Sequence, residues 1–200
     1  VQVPLIVTKD SGVNDYLDRD GSRTPVEFPC GLGLEKRIET QVVQAATKWK
    51  RMALQQFGCE VGEGICTDMR AVRKDYFLDH DHSAYVDQWD WERVITENMR
   101  NLEFLRDVVG RIWSVIYEAG QMVKKDFPRL NTDEYPDIPK AIKFYHAEEI
   151  LELYPDFTRK QRETKMVQEV HPAIFIVGIG YVLEDGYPHE MRAADYDDWI

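Results

Sequence analysis

In the stretch SAYVDQWDWERV, Ser83–Val94, a glutamine and two carboxylates follow one another at two-residue intervals: Gln88, Asp90 and Glu92, with Val86 ahead of them. Two-residue spacing puts side chains on one face of a strand. Tyr85, Asp87, Trp89 and Trp91 then share the other face. An amide beside two carboxylates is poor core material, because buried polar groups require partners and carboxylates most of all. The face is therefore read as solvated, or as the bed of a cationic, hydrogen-bonding ligand such as an amino-acid ammonium group. The aromatic side chains are expected to do the packing, which leaves the acidic face open.

Other residues invite chemistry more weakly. Arg73 closes a strand-like run of small and apolar residues. A guanidinium forks onto phosphate, so Arg73 is read as a nucleotide clamp or, equally, as the partner of Asp87 or Asp90. Lys48, Lys50 and Arg51 open a helix, and their spacing alone favours a solvated cationic face. The pair His80 and His82 flanks Asp81 without a third or fourth metal ligand at a recognisable spacing, so a solvated loop is expected. Asp195, Asp197 and Asp198, in DYDDW, repel one another unless a cation visits, and otherwise read as an acidic tail.

The elements that must position these residues follow from hydrophobic period and turn chemistry. Val1–Thr8, with Pro4, reads as an edge strand, and Lys9–Gly21 as a long polar loop. Strands are expected at 24–28 and 38–44. A helix is expected over 45–57, with Trp49, Met52, Ala53 and Gln56 on its apolar stripe and Gly58 at its end. The runs 65–73 and 83–94 pair as a long antiparallel hairpin around a charged loop. A helix over 96–127 carries an apolar stripe from Leu102 to Val123. Shorter helices follow at 147–154 and 158–170, the second opened by a capping box of Thr158 and Gln161. The apolar run 173–183 reads as a buried strand before an Asp185-Gly186 turn. Strands early, helices late and no strict alternation predict an α+β fold, an antiparallel sheet flanked by helices.

Composition bounds the function. Two hundred residues, 44% hydrophobic, fit one substantial core. A net charge of −11 argues against a general nucleic-acid surface. The three cysteines form no metal motif or disulfide framework, which fits a reducing, cytoplasmic setting. No run is long enough to span a bilayer. Neither GxGxxG nor a P-loop is present, so any nucleotide must be held by another architecture.

Taken together, TKWKR (Thr47–Arg51), GEG (Gly62–Gly64), MRAVR (Met69–Arg73), HSAYVDQWDWERV (His82–Val94), FIVGIG (Phe175–Gly180) and RAADYDDW (Arg192–Trp199) resemble ammonia-dependent asparagine synthetase of type A, a relative of class II aminoacyl-tRNA synthetases. The similarity runs in order along nearly the whole chain, and VQVPLI is similar to the Pro-bearing first motif at the synthetase dimer interface. The resemblance implies a class II synthetase-like catalytic core in a homodimer that converts L-aspartate, ATP and ammonia into asparagine, AMP and pyrophosphate through β-aspartyl-AMP, with Mg²⁺ on the phosphates. It implies that Arg73 clamps the α-phosphate and that Lys50 neutralises a carboxylate or phosphate oxygen. Gln88, Asp90 and Asp197 would line the aspartate pocket, with Asp15 near the attacking amine as proton acceptor. Ser83 and Val86 would lie beside the nucleotide, with Gln88 touching it too.

The chain departs from the family pattern in two places. Ala45 stands where the family's pocket helix begins with serine, and the Gly-rich third motif with its arginine is missing. The expectation is a single catalytic-core domain over 1–200, truncated at both ends and inactive alone. The competing readings are a non-catalytic synthetase-like paralogue that binds an amino acid or a partner, and a true aminoacyl-tRNA synthetase core. The second is opposed by the acidic charge and the lack of a basic tRNA-binding extension.

Overall fold

The computed structural model describes residues 1–17, 21–80 and 82–191. It is α+β, as the order of elements predicts, but its strands fall into three small sheets rather than one. The chain divides into two compact units, Val1–Glu97 and Asn98 onward.

In the first unit β1 (Ile6–Thr8), β2 (Glu27–Cys30) and β3 (Ile38–Val42) form an antiparallel sheet in the order β1-β3-β2. The strand expected at 24–28 begins later, because Thr24 turns its N–H and hydroxyl to the Asp75 carboxylate (3.0 and 2.8 Å) rather than to the ladder. It then runs through Pro29, which an edge strand accommodates. The first residues pair elsewhere: the Val1 ammonium donates to the Cys66 carbonyl at 2.8 Å, and Asp68 N–H donates to the Val1 carbonyl at 2.9 Å.

Helix α1 (Thr47–Gln56) leads into β4 (Gly64–Val72) and β5 (Tyr85–Arg93), which pair in full antiparallel register from Gly64↔Arg93 to Val72↔Tyr85. Gly64 is demanded by this register, since a Cβ there would overlap the Glu92 carbonyl oxygen. The buried face of α1 is Thr47, Lys50, Ala53 and Leu54, and Met52 and Gln56 of the expected stripe are exposed. The stripe is displaced because Lys50, which a hydrophobicity pattern rejects, belongs to the inner face.

The hairpin corrects the sequence reading more deeply. Its inner face, which α1 approaches, comprises buried Ile65, Thr67, Met69 and Ala71 from β4 and half-buried Val86, Gln88, Asp90 and Glu92 from β5. The aromatic face expected to pack is the open one, with Trp89 85% and Trp91 51% exposed. Strand β4 supplies the apolar side chains of that inner layer, so β5 can be polar there. Val43, Ala46, Met69 and Ala71 make one cluster, bordered by Trp49 and Val86. A second gathers Ala53, Leu54 and Ile65.

The second unit opens with α2 (Leu102–Asp126), which starts at its N-cap Asn101, whose side chain accepts from Phe104 N–H, rather than at Thr96. Of the predicted stripe Leu105 and Val109 are buried, while Leu102, Ile116 and Val123 are exposed. Strands β6 (Lys143–His146) and β7 (Ile174–Val177) pair in parallel, joined by α3 (Ala147–Leu153) and α4 (Arg159–Lys165). Gln161 reaches back to Thr158 N–H at 2.9 Å, as expected of the capping box. The helix predicted to 170 ends its α-form at Lys165 and finishes as a π turn, Met166–Val170. The strand predicted over 173–183 stops at Val177, because Gly178 takes a φ of +74° and its backbone passes against the His146 ring.

Candidate active site

The inner face of the hairpin carries two cations along one strand. At one position Lys50, 1% exposed, extends from α1 to the Asp90 carboxylate, with Glu92 at 3.6 Å. A solvated Lys50, which spacing alone favours, is thereby corrected: α1 turns this side chain inward because two carboxylates of β5 await it. Two residues along, Gln88 accepts from Arg73 Nη2 at 3.4 Å. The rise of a strand sets the two positions about 7 Å apart. The Asp90 carbonyl accepts from buried Thr67 (3.1 Å), and its Oδ1 from Trp91 N–H (2.8 Å), which fixes the strand beneath the carboxylate.

The electrostatics of this face are unequal. Burial is the main cause that pushes the Glu92 carboxyl above the usual carboxylate range, against the opposing pull of Lys50. Neither Asp87 nor Asp90 holds Arg73: Asp87 lies outward beside Arg70 at 3.7 Å, and Asp90 pairs with Lys50. The ion-pair reading of Arg73 therefore gives way to a guanidinium whose Nε is buried with no hydrogen-bond partner among the described residues. A buried donor in that condition is costly unless a ligand takes it up.

Asp15 is 3% exposed at the N-terminus of α1, where Lys48 N–H donates to it at 3.0 Å and Lys48 Nζ lies at 3.6 Å. It thus caps α1 from a distant loop, because Ala46 at the N-cap has no side chain able to do so. The loop is pinned on both sides. Asn14 donates to the Val42 carbonyl (3.1 Å) and accepts from Gln44 N–H (2.9 Å), while Gln41 donates to Tyr16 (3.2 Å) and Glu27 (2.8 Å).

The structure thus brings Lys50 to Asp90 and Arg73 to Gln88 on one face. Val86 continues that face into the core, whereas exposed Ser83 turns its hydroxyl to Tyr85 N–H at the start of β5. Asp197 lies outside the described residues, as does Asp81 of the His80–His82 loop. Among the described residues no three acidic, thiol or imidazole groups converge to hold a metal ion. Sequence reasoning gave no role to Asn14, Gln41 or Gln44, all buried, and Gln44 Oε1 has no hydrogen-bond partner among the described residues. The available signal was an amide set against apolar residues, with Asn14 after Val13, Gln41 before Val42 and Gln44 between Val43 and Ala45.

A protein-family profile described as aspartate–ammonia ligase matches residues 1–200. The chain is 44% identical over 200 residues to an aspartate–ammonia ligase of Bacteroides thetaiotaomicron, covering all of this chain and 55% of that protein. It is 42% identical over 199 residues to those of Parabacteroides distasonis and Bacillus cytotoxicus, covering 55% and 58% of their lengths. The chain therefore spans little more than half the length of these relatives.

Proposed function

Because this chain belongs to the aspartate–ammonia ligase family, we propose that it forms one catalytic core, over residues 1–200, of an enzyme that makes asparagine from aspartate, ammonia and ATP. The observation that carries the reading is the pair of cations on the inner hairpin face, Arg73 over Gln88 and Lys50 over Asp90. A nucleotide phosphate at the first and an amino-acid substrate at the second would sit side by side. That adjacency is what adenylation requires, since in-line displacement at phosphorus is chiefly positioning and charge neutralisation.

In this proposal the aspartate β-carboxylate attacks the α-phosphorus of ATP, the bond to pyrophosphate breaks, and β-aspartyl-AMP results. Arg73 supplies Nε and Nη donors to the α-phosphate oxygens as charge develops there. Asp90 and Gln88 take the substrate ammonium, with Asp197 as a further wall of the pocket. Lys50 is released in part from Asp90 toward the substrate carboxylate. Ammonia then attacks the β-carbonyl carbon, AMP leaves, and the surplus proton passes to a carboxylate, a role assigned to Asp15. Ser83 and Val86 border the nucleotide. Mg²⁺ carried on the ATP phosphates would supply charge neutralisation there beside Arg73. The wider reading is a class II synthetase-like core in a cytoplasmic homodimer. Among the described residues no helix is long and apolar enough to cross a membrane.

A product assay tests the reaction: aspartate, ATP and ammonium are supplied, and AMP, ADP and asparagine are resolved. AMP and asparagine in equal amounts are expected once the residues that complete the relatives' length are joined to the chain. ADP in place of AMP would refute the adenylate. Turnover by the 200 residues alone would refute the expectation that further chain completes the nucleotide site. Arg73→Ala is expected to weaken ATP binding by at least about tenfold, the scale of a charge-assisted pair, measured by calorimetry.

A further inference from the structure

One side chain grips the loop that carries Asp15 on both sides of that residue. Gln41 of β3 is 2% exposed. Its Nε2 donates to the Tyr16 hydroxyl at 3.2 Å and to Glu27 Oε1 at 2.8 Å, and its Oε1 accepts from Asn14 Nδ2 at 3.3 Å. Asn14 and Tyr16 are the chain neighbours of Asp15. The Asp15 N–H is held separately, by the Ala45 carbonyl at 3.1 Å. Glu27 stands opposite Gln41 in the β2–β3 register, on the edge strand, and Lys9 Nζ donates to its other carboxylate oxygen at 2.7 Å.

The direction of every bond in this chain is fixed from its outer end. An ionised carboxylate only accepts, so Glu27 requires Gln41 to present its NH2 group, and the amide oxygen is left for Asn14. Asn14 Nδ2, engaged there and at the Val42 carbonyl, leaves Oδ1 for the Gln44 N–H at 2.9 Å. Apolar side chains would hold the loop without the cost of desolvating two amides, but they would not fix its angle. From this arrangement we propose that Gln41 and Glu27 are positioning residues for amidation, which set the Asp15 carboxylate where it takes the proton shed by the attacking ammonia. The inference rests on the role given to Asp15 above and deepens it: an exposed carboxylate at a sheet edge governs a proton transfer that it does not touch. Placement within hydrogen-bond reach is the first requirement of such an acceptor.

The two half-reactions separate this role from a merely structural one, measured in the chain joined to the residues that complete the relatives' length. Aspartate-dependent exchange of labelled pyrophosphate into ATP reports adenylate formation, and asparagine formation against ammonium reports amidation. Gln41→Leu is expected to slow amidation by about tenfold or more and to leave the exchange within about twofold. Glu27→Gln, a milder change at the exposed end, should show the same split at about threefold or more, and it serves should Gln41→Leu fail to fold. In an Asp15→Asn background neither change should slow amidation further, because each acts through Asp15. Equal loss of both half-reactions would overturn the proposal, as would an undiminished effect in the Asp15→Asn background. If Asp15→Asn slows amidation while Gln41→Leu and Glu27→Gln leave it unchanged, the positioning role alone is refuted. If Asp15→Asn itself leaves amidation unchanged, the role given to Asp15 falls and this inference with it.

Discussion

Lys50 is the residue on which the site turns. Its ammonium is buried and its two anionic partners are only half so, with side-chain exposures of 36% for Asp90 and 22% for Glu92. Lys50→Met would leave those carboxylates facing each other without a cation, at a cost of about 3 kcal/mol, measurable by urea unfolding. Glu92 makes the opposite case. Its carboxyl is raised above the ordinary 4.5, chiefly by burial. The folded chain therefore binds that proton more tightly than the unfolded chain does. The associated stability is present below pH 4.5 and is lost as pH rises through the elevated value. Glu92→Gln is expected to raise the melting temperature at pH 8 more than at pH 4, and thermal unfolding at the two pH values checks it. An equal shift at both would show that the carboxylate is not strained by its surroundings.

Among the elements, α1 and the hairpin hold the site, and α1 owes its start to a residue more than thirty positions upstream. Asp15→Ala removes that cap and should cost about 1 kcal/mol, whereas Asp15→Asn keeps an acceptor and costs less. The same pair separates two roles for Asp15: Asp15→Asn spares the fold yet should slow amidation relative to adenylate formation, seen as product formation against pyrophosphate release. The hairpin's existence and the shared face of Gln88, Asp90 and Glu92 were legible in the sequence, because residues two apart on a strand lie on one side; the register that pairs them with β4 was not. Which side faced inward was not. Trp89 and Trp91 read as packing residues, and nothing local reveals that β4 furnishes most of the inner apolar layer or that Lys50 neutralises the β5 carboxylates on that same face. The Asn14 and Gln41 bonds and the approach of Arg23 to Tyr76 were illegible for a related reason: each joins segments distant in sequence, where spacing carries no information.

At the scale of the molecule, the described residues of the proposed site all belong to the unit Val1–Glu97. The relatives are nearly twice as long as this chain. The open hairpin face bears Tyr85, Trp89 and Trp91 beside exposed Cys66. Because Trp89 is 85% exposed, Trp89→Ser should change unfolding free energy by no more than about 0.5 kcal/mol in urea titration. A larger loss would mean that the ring packs in solution against something beyond the described residues. The alternation along β5 has a further use. Two residues proposed to touch substrate sit next to an indole on the reverse side of the same strand: Gln88 beside Trp89, and Asp90 between Trp89 and Trp91. Ligand occupancy at the inner face thus falls one backbone thickness from a natural fluorophore, and emission intensity could follow it without any label.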